Sequence, residues 1–234
     1  MKRHVTPRRK IERDTITAMK TSSCRRLTLP VLLTITVAIA ISQSRFVLPA
    51  RADDANSPMT VVQNTVNQAL AVLRDKSAPL QQRQEKLRQI VAQTFDFTQM
   101  AKSALGYHWK ELSPPQQQEF TNVFISFIED SYLSKLNDYR GQQVQFIRAS
   151  QDSADYAQVN TNIVREGKEP IHLDFRLKKE GGTWKIYDVT VDAISIIANY
   201  RNQFNRVMNN QGYDTLIKDL KEKQAALAAR LGNQ

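Results

Sequence analysis

Cysteine is almost missing from this chain: Cys24 is the only one among 234 residues, and it lies ahead of the apolar stretch Leu27 to Ile41. That position is wrong for a lipoprotein acceptor, and nothing downstream can form a disulfide scaffold, a thiolate metal site or a cysteine nucleophile. Histidine is scarce too. Beyond the first 52 residues there are only His108 and His172, unclustered, a poor basis for a metal centre or a general base. The chain has no Gly-x-x-x-x-Gly-Lys-Ser/Thr loop, no Gly-x-Gly-x-x-Gly, no His-Glu-x-x-His and no Gly-x-Ser-x-Gly. Phosphate cradling, dinucleotide binding, zinc proteolysis and serine-hydrolase chemistry therefore lack their usual signatures. The reading is a non-enzyme with no catalytic residue, no metal and no cofactor.

What is present begins with export. Lys2, Arg3, Arg8, Arg9, Lys10, Lys20, Arg25 and Arg26 precede the apolar segment, and Ala50-Arg51-Ala52 follows it. This is the order of a signal peptide, so residues 1–52 are expected to be a cleavable leader cut after Ala52, with Met19 an alternative start. As an uncleaved anchor the segment is short, because a membrane-spanning helix needs ~20 apolar residues and this one contains Pro30 and ends in Ser42-Gln43-Ser44-Arg45. Residues 1–52 hold 11 of the 33 basic and 2 of the 23 acidic residues, which leaves 22 and 21 in residues 53–234. The formal charge thus drops from +10 to +1. A nucleic-acid role loses its electrostatic basis. The remaining 182 residues suffice for one domain with a real core.

Ser57-Pro58 opens a helix that runs to about Asp75, Ser77 to Pro79 breaks it, and a second helix spans Leu80 to Thr94, with Leu80, Leu87, Ile90 and Val91 on one side. Asp96 and Gln99 have capping-box spacing for a short helix ending at Gly106. Ser113-Pro114-Pro115-Gln116 starts a long helix whose Phe120, Val123, Phe124, Phe127, Ile128, Leu133 and Leu136 recur at helical spacing until Gly141. The period then changes. Gln142 to Ala149, Tyr156 to Arg165, Ile171 to Lys179 and Thr183 to Val191 read as four strands, the last two joined at Gly181-Gly182. Helices return at Ile194 to Met208 and Tyr213 to Arg230. The order predicts an α+β domain, with N- and C-terminal helices packed on a four-stranded antiparallel sheet.

In the last strand Trp184 and Ile186 alternate one way and Tyr187, Val189 and Val191 the other, which predicts a sheet apolar on both faces. One face would meet helices, and the second must meet more helix or a ligand. Large apolar groups are plentiful: Phe97, Met100 and Trp109, then Phe120, Phe124, Phe127 and Tyr132, then Phe146, Phe175, Tyr187, Val189, Ile196, Ile197 and Tyr200. From these and Leu105 a candidate apolar-ligand set is drawn: Met100, Leu105, Phe124, Phe127, Tyr132, Phe175, Tyr187, Val189, Ile197 and Tyr200. Asp174 and Asp188 are the carboxylates on which an enzyme in a conical cavity could rest. An Asp188–Arg201 ion pair tying sheet to helix explains Asp188 without chemistry, since buried charges are normally paired.

Five segments carry a resemblance. They are Phe95-Asp96-Phe97-Thr98-Gln99-Met100-Ala101, Leu105-Gly106-Tyr107-His108-Trp109, Trp184-Lys185-Ile186-Tyr187-Asp188-Val189, Ile194-Ser195-Ile196-Ile197-Ala198-Asn199-Tyr200-Arg201-Asn202-Gln203-Phe204 and Gly212-Tyr213-Asp214-Thr215-Leu216-Ile217 with Leu220 and Lys223. In this order, over about residues 60–223, the chain resembles the MlaC/toluene-tolerance auxiliary family of periplasmic phospholipid-binding proteins. The departure is Asp192-Ala193, where that family often has a glycine. The resemblance implies a strongly curved sheet and helices enclosing an apolar lipid pocket. It also implies a monomeric shuttle that carries phospholipid as cargo between the MCE-domain subunit of an inner-membrane ABC transporter and an outer-membrane lipoprotein–porin complex. A hopanoid-associated branch shares the motifs, and a periplasmic holdase or assembly factor remains a competing class.

Overall fold

Local capping decides where the helices begin. A computed structural model describes residues 56–133 and 139–232. The expected leader, residues 1–52, and Leu136 lie outside the described residues. Helix α1, Pro58–Arg74, starts where the Ser57 side chain accepts the Thr60 N–H at 3.1 Å and Pro58 fills a first-turn position. Asp75 ends it, its Oδ1 accepting from the Ser77 and Ala78 N–H groups, and α2, Leu80–Thr94, follows. Helix α3, Phe97–Leu105, is capped by Asp96, which accepts the Gln99 N–H at 2.8 Å. Only half of the expected capping box forms: the Asp96 N–H is taken by the Ile186 carbonyl, and the Gln99 amide turns instead to Ser103 Oγ. After a 3-10 turn over Gly106–Glu111 comes α4, Pro114–Leu133.

The sheet is an antiparallel meander of β1 (Gln143–Gln151), β2 (Tyr156–Arg165), β3 (Lys168–Glu180), β4 (Thr183–Val191) and β5 (Ile194–Ser195). The expected four strands thus become five among the described residues. The fifth, two residues long, pairs Thr190 with Ser195 and Val191 with Ile194 and is too short to show a period. Helices α5, Ile196–Gln211, and α6, Tyr213–Gly232, complete the α+β layout. Gly181 and Gly182 both have positive φ, +55° and +83°, as the tight turn between β3 and β4 requires.

The two-faced reading of β4 is corrected by a β-bulge. Phe175 pairs with Val189 and Arg176 with Asp188, but Leu177 pairs with Ile186, so Tyr187 is an extra residue without a partner on β3. The bulge resets the alternation. Trp184, Ile186, Val189 and Val191 therefore share one face, and Tyr187, Asp188 and Thr190 the other. On β2 and β3 the same apolar face carries Ala157, Val159, Leu173, Phe175 and Leu177, while Gln158, Asn160, His172, Asp174 and Arg176 stand opposite. One face is apolar and one polar, as is ordinary for an antiparallel sheet.

Three core clusters form among the described residues, the smallest of them Leu87, Leu133 and Leu231. Val62 of α1 is buried against Val159, Phe175, Leu177, Trp184 and Ile186, so α1 covers part of the apolar face. Helices α3 to α6 form their own core around Phe120, Phe124, Ile197, Phe204, Leu216 and Leu220.

The Asp192-Ala193 turn between β4 and β5 adopts left-handed backbone without glycine, with φ of +46° and +66°. Asp192 is fastened there: its Oδ1 accepts the His172 N–H at 3.0 Å and its own N–H donates to the His172 carbonyl at 2.9 Å. Ala193 is strained. Ala193→Gly is expected to raise the free energy of unfolding by about 1 kcal/mol, since alanine at positive φ loses roughly that much to glycine. Urea denaturation measures it; an unchanged or lower midpoint would mean the turn stores no strain.

Candidate functional site

Where α1 stops covering the sheet, a cavity opens. It has a volume of about 330 Å³, within the range of ligand pockets, and lies between the apolar sheet face and helices α2, α3 and α4. Leu173 and Phe175 of β3 and Val189 and Val191 of β4 form one wall. Phe95, Phe97 and Met100 close one side, and Leu87 and Val91 of α2 with Ile128 and Leu133 of α4 the other, while Ile196 comes from the start of α5. Among the described residues, only Arg88, Glu129 and Tyr132 bring charge or a hydroxyl to this lining.

Tyr132 and Arg88 are the most exposed of the three and stand at the open edge, with Glu129 beside Arg88. Tyr132 is 47 % exposed, whereas Met100 is 3 % and Phe175 6 %. The Arg88 side chain is 31 % exposed, with Nε 3.7 Å from Glu129 Oε2 and Nη2 3.0 Å from Asp130 Oδ1. Asp130 is buried, and its second oxygen accepts from Gln224 Nε2 at 2.8 Å, which ties α2, α4 and α6 together. Burial pushes the Glu129 carboxyl above its ordinary pKa, against the pull of Arg88. A smaller cavity of about 220 Å³ lies between α5 and α6. Arg206, Asn210, Asp219 and Lys223 in its walls make it unsuited to an apolar ligand.

Of the ten residues expected around an apolar ligand, Met100, Tyr132, Phe175 and Val189 line the cavity. Leu105, Phe124, Phe127 and Ile197 are instead buried in the helical core, and Tyr200 packs on that core with its ring 5.6 Å from those of Phe127 and Phe204. Tyr187 stands on the far face because of the bulge, its ring edge-on to Tyr156 at 6.1 Å. The lining residues Leu87 and Val91 belong to an apolar stripe visible in the sequence, and Phe97 and Ile196 to its excess of large groups. Arg88 and Glu129 gave no signal, since a charged residue on a helix is ordinarily solvated.

The expected Asp188–Arg201 pair does not form. Asp188, 5 % exposed, accepts from Ser195 Oγ at 2.7 Å and from the Ile197 N–H at 3.3 Å, and lies 3.5 Å from Arg176 Nη1. Arg201, one turn beyond Ile197, faces α3: its Nε donates to the Ser103 carbonyl at 2.6 Å, and its stem lies against Gly106, where a Cβ would approach Arg201 Cδ to 3.3 Å. Sheet and helix are joined by the start of α5, where a carboxylate meets the positive end of the helix dipole.

Asp188 and Asp174 both stand on the sheet face opposite the cavity, so neither is placed as a base for a ligand in it. His108 is buried with Nδ1 2.6 Å from Glu111 Oε2, and His172 Nδ1 is 2.7 Å from Asn162 Oδ1. Among the described residues no three His, Cys, Asp or Glu side chains gather to hold a metal, and no helix is long and apolar enough to cross a membrane.

Fold and cavity define a class: an α+β domain that shelters an apolar ligand between a curved antiparallel sheet and helices, with its few charged groups at one edge. The sequence pattern of the MlaC protein family matches residues 63–222, and the chain belongs to that family. It is 25 % identical over 186 residues to the intermembrane phospholipid transport system binding protein MlaC of Haemophilus influenzae, covering 76 % of this chain and 86 % of that one. It is 25 % identical over 165 residues to the toluene tolerance protein ttg2D of Pseudomonas putida, 68 % and 77 % of the two chains. Among solved structures, the phospholipid-binding protein of Ralstonia solanacearum, determined at 1.53 Å in complex with a phospholipid, superposes with a TM-score of 0.66 at 27 % identity. That likeness covers 73 % of this chain and 98 % of the other.

Proposed function

We propose that this chain is a periplasmic phospholipid shuttle. In this reading it is exported on residues 1–52, works as a monomer without catalytic chemistry, and carries lipid between the inner and outer membranes. The observation that carries it is the apolar cavity between sheet and helices, in a chain of the MlaC family whose structural neighbour was solved with phospholipid bound. The physics fits. Two acyl chains left in water cost roughly 0.8 kcal/mol per CH₂, which over about thirty carbons exceeds 20 kcal/mol. Free lipid therefore does not cross an aqueous compartment at a useful rate. The chain shelters the tails and leaves the headgroup at the open edge by Arg88, Glu129 and Tyr132.

Burial on that scale makes unaided release slow, so hand-off requires a partner that competes for the tails or widens the cavity. The chain has no nucleotide-binding motif, so energy for uptake or delivery comes from that partner. The family reading supplies two: an MCE-domain subunit of an inner-membrane ABC transporter and an outer-membrane lipoprotein–porin complex. Native mass spectrometry of protein purified without detergent is expected to show one phospholipid per chain. A uniformly empty protein with no solvent-extractable lipid would refute the reading.

A further inference from the structure

The charged groups at the open edge are arranged unevenly. Arg88 has three carboxylates around it: Asp130 at 3.0 Å, Glu129 at 3.7 Å and Glu85 at 3.9 Å. These four groups carry a net charge of −2. Asp130 is committed to structure, since it is buried and both its oxygens accept hydrogen bonds, one from Arg88 and one from Gln224. Glu129 is different. It lines the cavity, its side chain is 16 % exposed, and among the described residues its carboxylate accepts no hydrogen bond; its one close charge is Arg88 Nε at 3.7 Å. Arg88 in turn gives one hydrogen bond, from Nη2, while its Nε and Nη1 face Glu129 and Glu85 at ion-pair distances of 3.7 and 3.9 Å, too long for hydrogen bonds.

An apolar cavity therefore ends in a guanidinium with donors to spare beside a partly desolvated carboxylate with acceptors to spare. A phosphodiester alone would meet the guanidinium but add a third negative charge to a set already at −2. A headgroup that brings its own cation answers both needs. Its phosphate meets Arg88 and its ammonium meets Glu129, with Glu85 alongside, in charge-assisted hydrogen bonds stronger than neutral ones.

We propose that Arg88 and Glu129 form a headgroup seat that selects zwitterionic phospholipids with a primary ammonium over net-anionic ones. The proposal rests on the lipid-carrier reading above and adds the headgroup class to it. Because the seat is partly exposed, the discrimination is modest and screened by salt.

The test offers the detergent-free protein vesicles containing equal amounts of phosphatidylethanolamine and phosphatidylglycerol with the same acyl chains, then identifies the lipid recovered on the protein. The wild-type chain should favour phosphatidylethanolamine about fivefold, the scale of a partly exposed ion pair. Glu129→Gln should bring the ratio close to one among the lipid recovered on folded protein. Equal capture by the wild type overturns the seat and leaves the carrier intact, as does a preference that survives Glu129→Gln. Uptake of neither lipid overturns the carrier reading and the seat with it. The wild-type ratio needs no variant, so the proposal stays testable even where Glu129→Gln fails to fold.

Discussion

Val189→Glu is expected to cut the phospholipid that copurifies with the chain at least tenfold, whereas Tyr187→Glu, two residues away, should leave it within about a factor of two. Val189 lines the cavity, and a carboxylate there sits in an apolar space where its desolvation costs several kcal/mol, more than the 1.4 kcal/mol that a tenfold change requires. Tyr187 stands on the polar face, partly exposed, and a charge there remains hydrated. Lipid quantified per mole of folded protein checks both variants. Equal losses in the two would mean that the bulge does not separate cavity from surface as described. A simple alternation along β4 puts the two residues on one face and predicts that equality.

Phe124→Ala should have the opposite signature, with a large loss of stability and little change in lipid per folded molecule. Phe124 is fully buried, with ring centroids 5.7 Å from Phe120, 6.2 Å from Phe204 and 6.3 Å from Tyr200. Removing it leaves a cavity in close-packed surroundings, at a cost of about 3–5 kcal/mol. For a domain of this size that lowers the melting temperature by roughly 10 °C. Calorimetry and lipid extraction on the same sample separate the outcomes. A stable variant that has lost its lipid would place Phe124 in the ligand site instead of the core.

Much of the fold was legible because its signals are local. Ser57-Pro58 and Ser113-Pro114 mark helix starts through side-chain caps and fixed φ, and Gly181-Gly182 marks a turn that needs positive φ at both positions. Strands β2 and β4 run over the residues their composition predicts. The site was less legible because its determinants are not local. The extra residue in β4 is fixed by pairing with β3, and no period in β4 alone reveals it. Helix α4 offers a broad apolar face, but a face does not say what it meets. Phe120, Phe124 and Phe127 turn to the helical core, Tyr132 turns to the cavity, and Ile128 meets both. Arg201 lies close in sequence to Asp188, yet the phase of α5 brings the Ile197 N–H to the carboxylate and carries Arg201 to α3.

The bulge also makes one position in β4 dispensable in a specific sense. A strand lacking Tyr187 would still place Trp184, Ile186, Val189 and Val191 on the apolar side and Asp188 and Thr190 on the other, since the pairings of Asp188 with Arg176 and of Ile186 with Leu177 would simply become adjacent rungs. What such a strand would lose is the local bend and added twist of a bulge, at the point where the sheet wraps the cavity. The residue thus contributes through its backbone length more than through its side chain: chemistry at position 187 is free to vary, while the count of residues between Ile186 and Asp188 sets how far the sheet curls around its ligand.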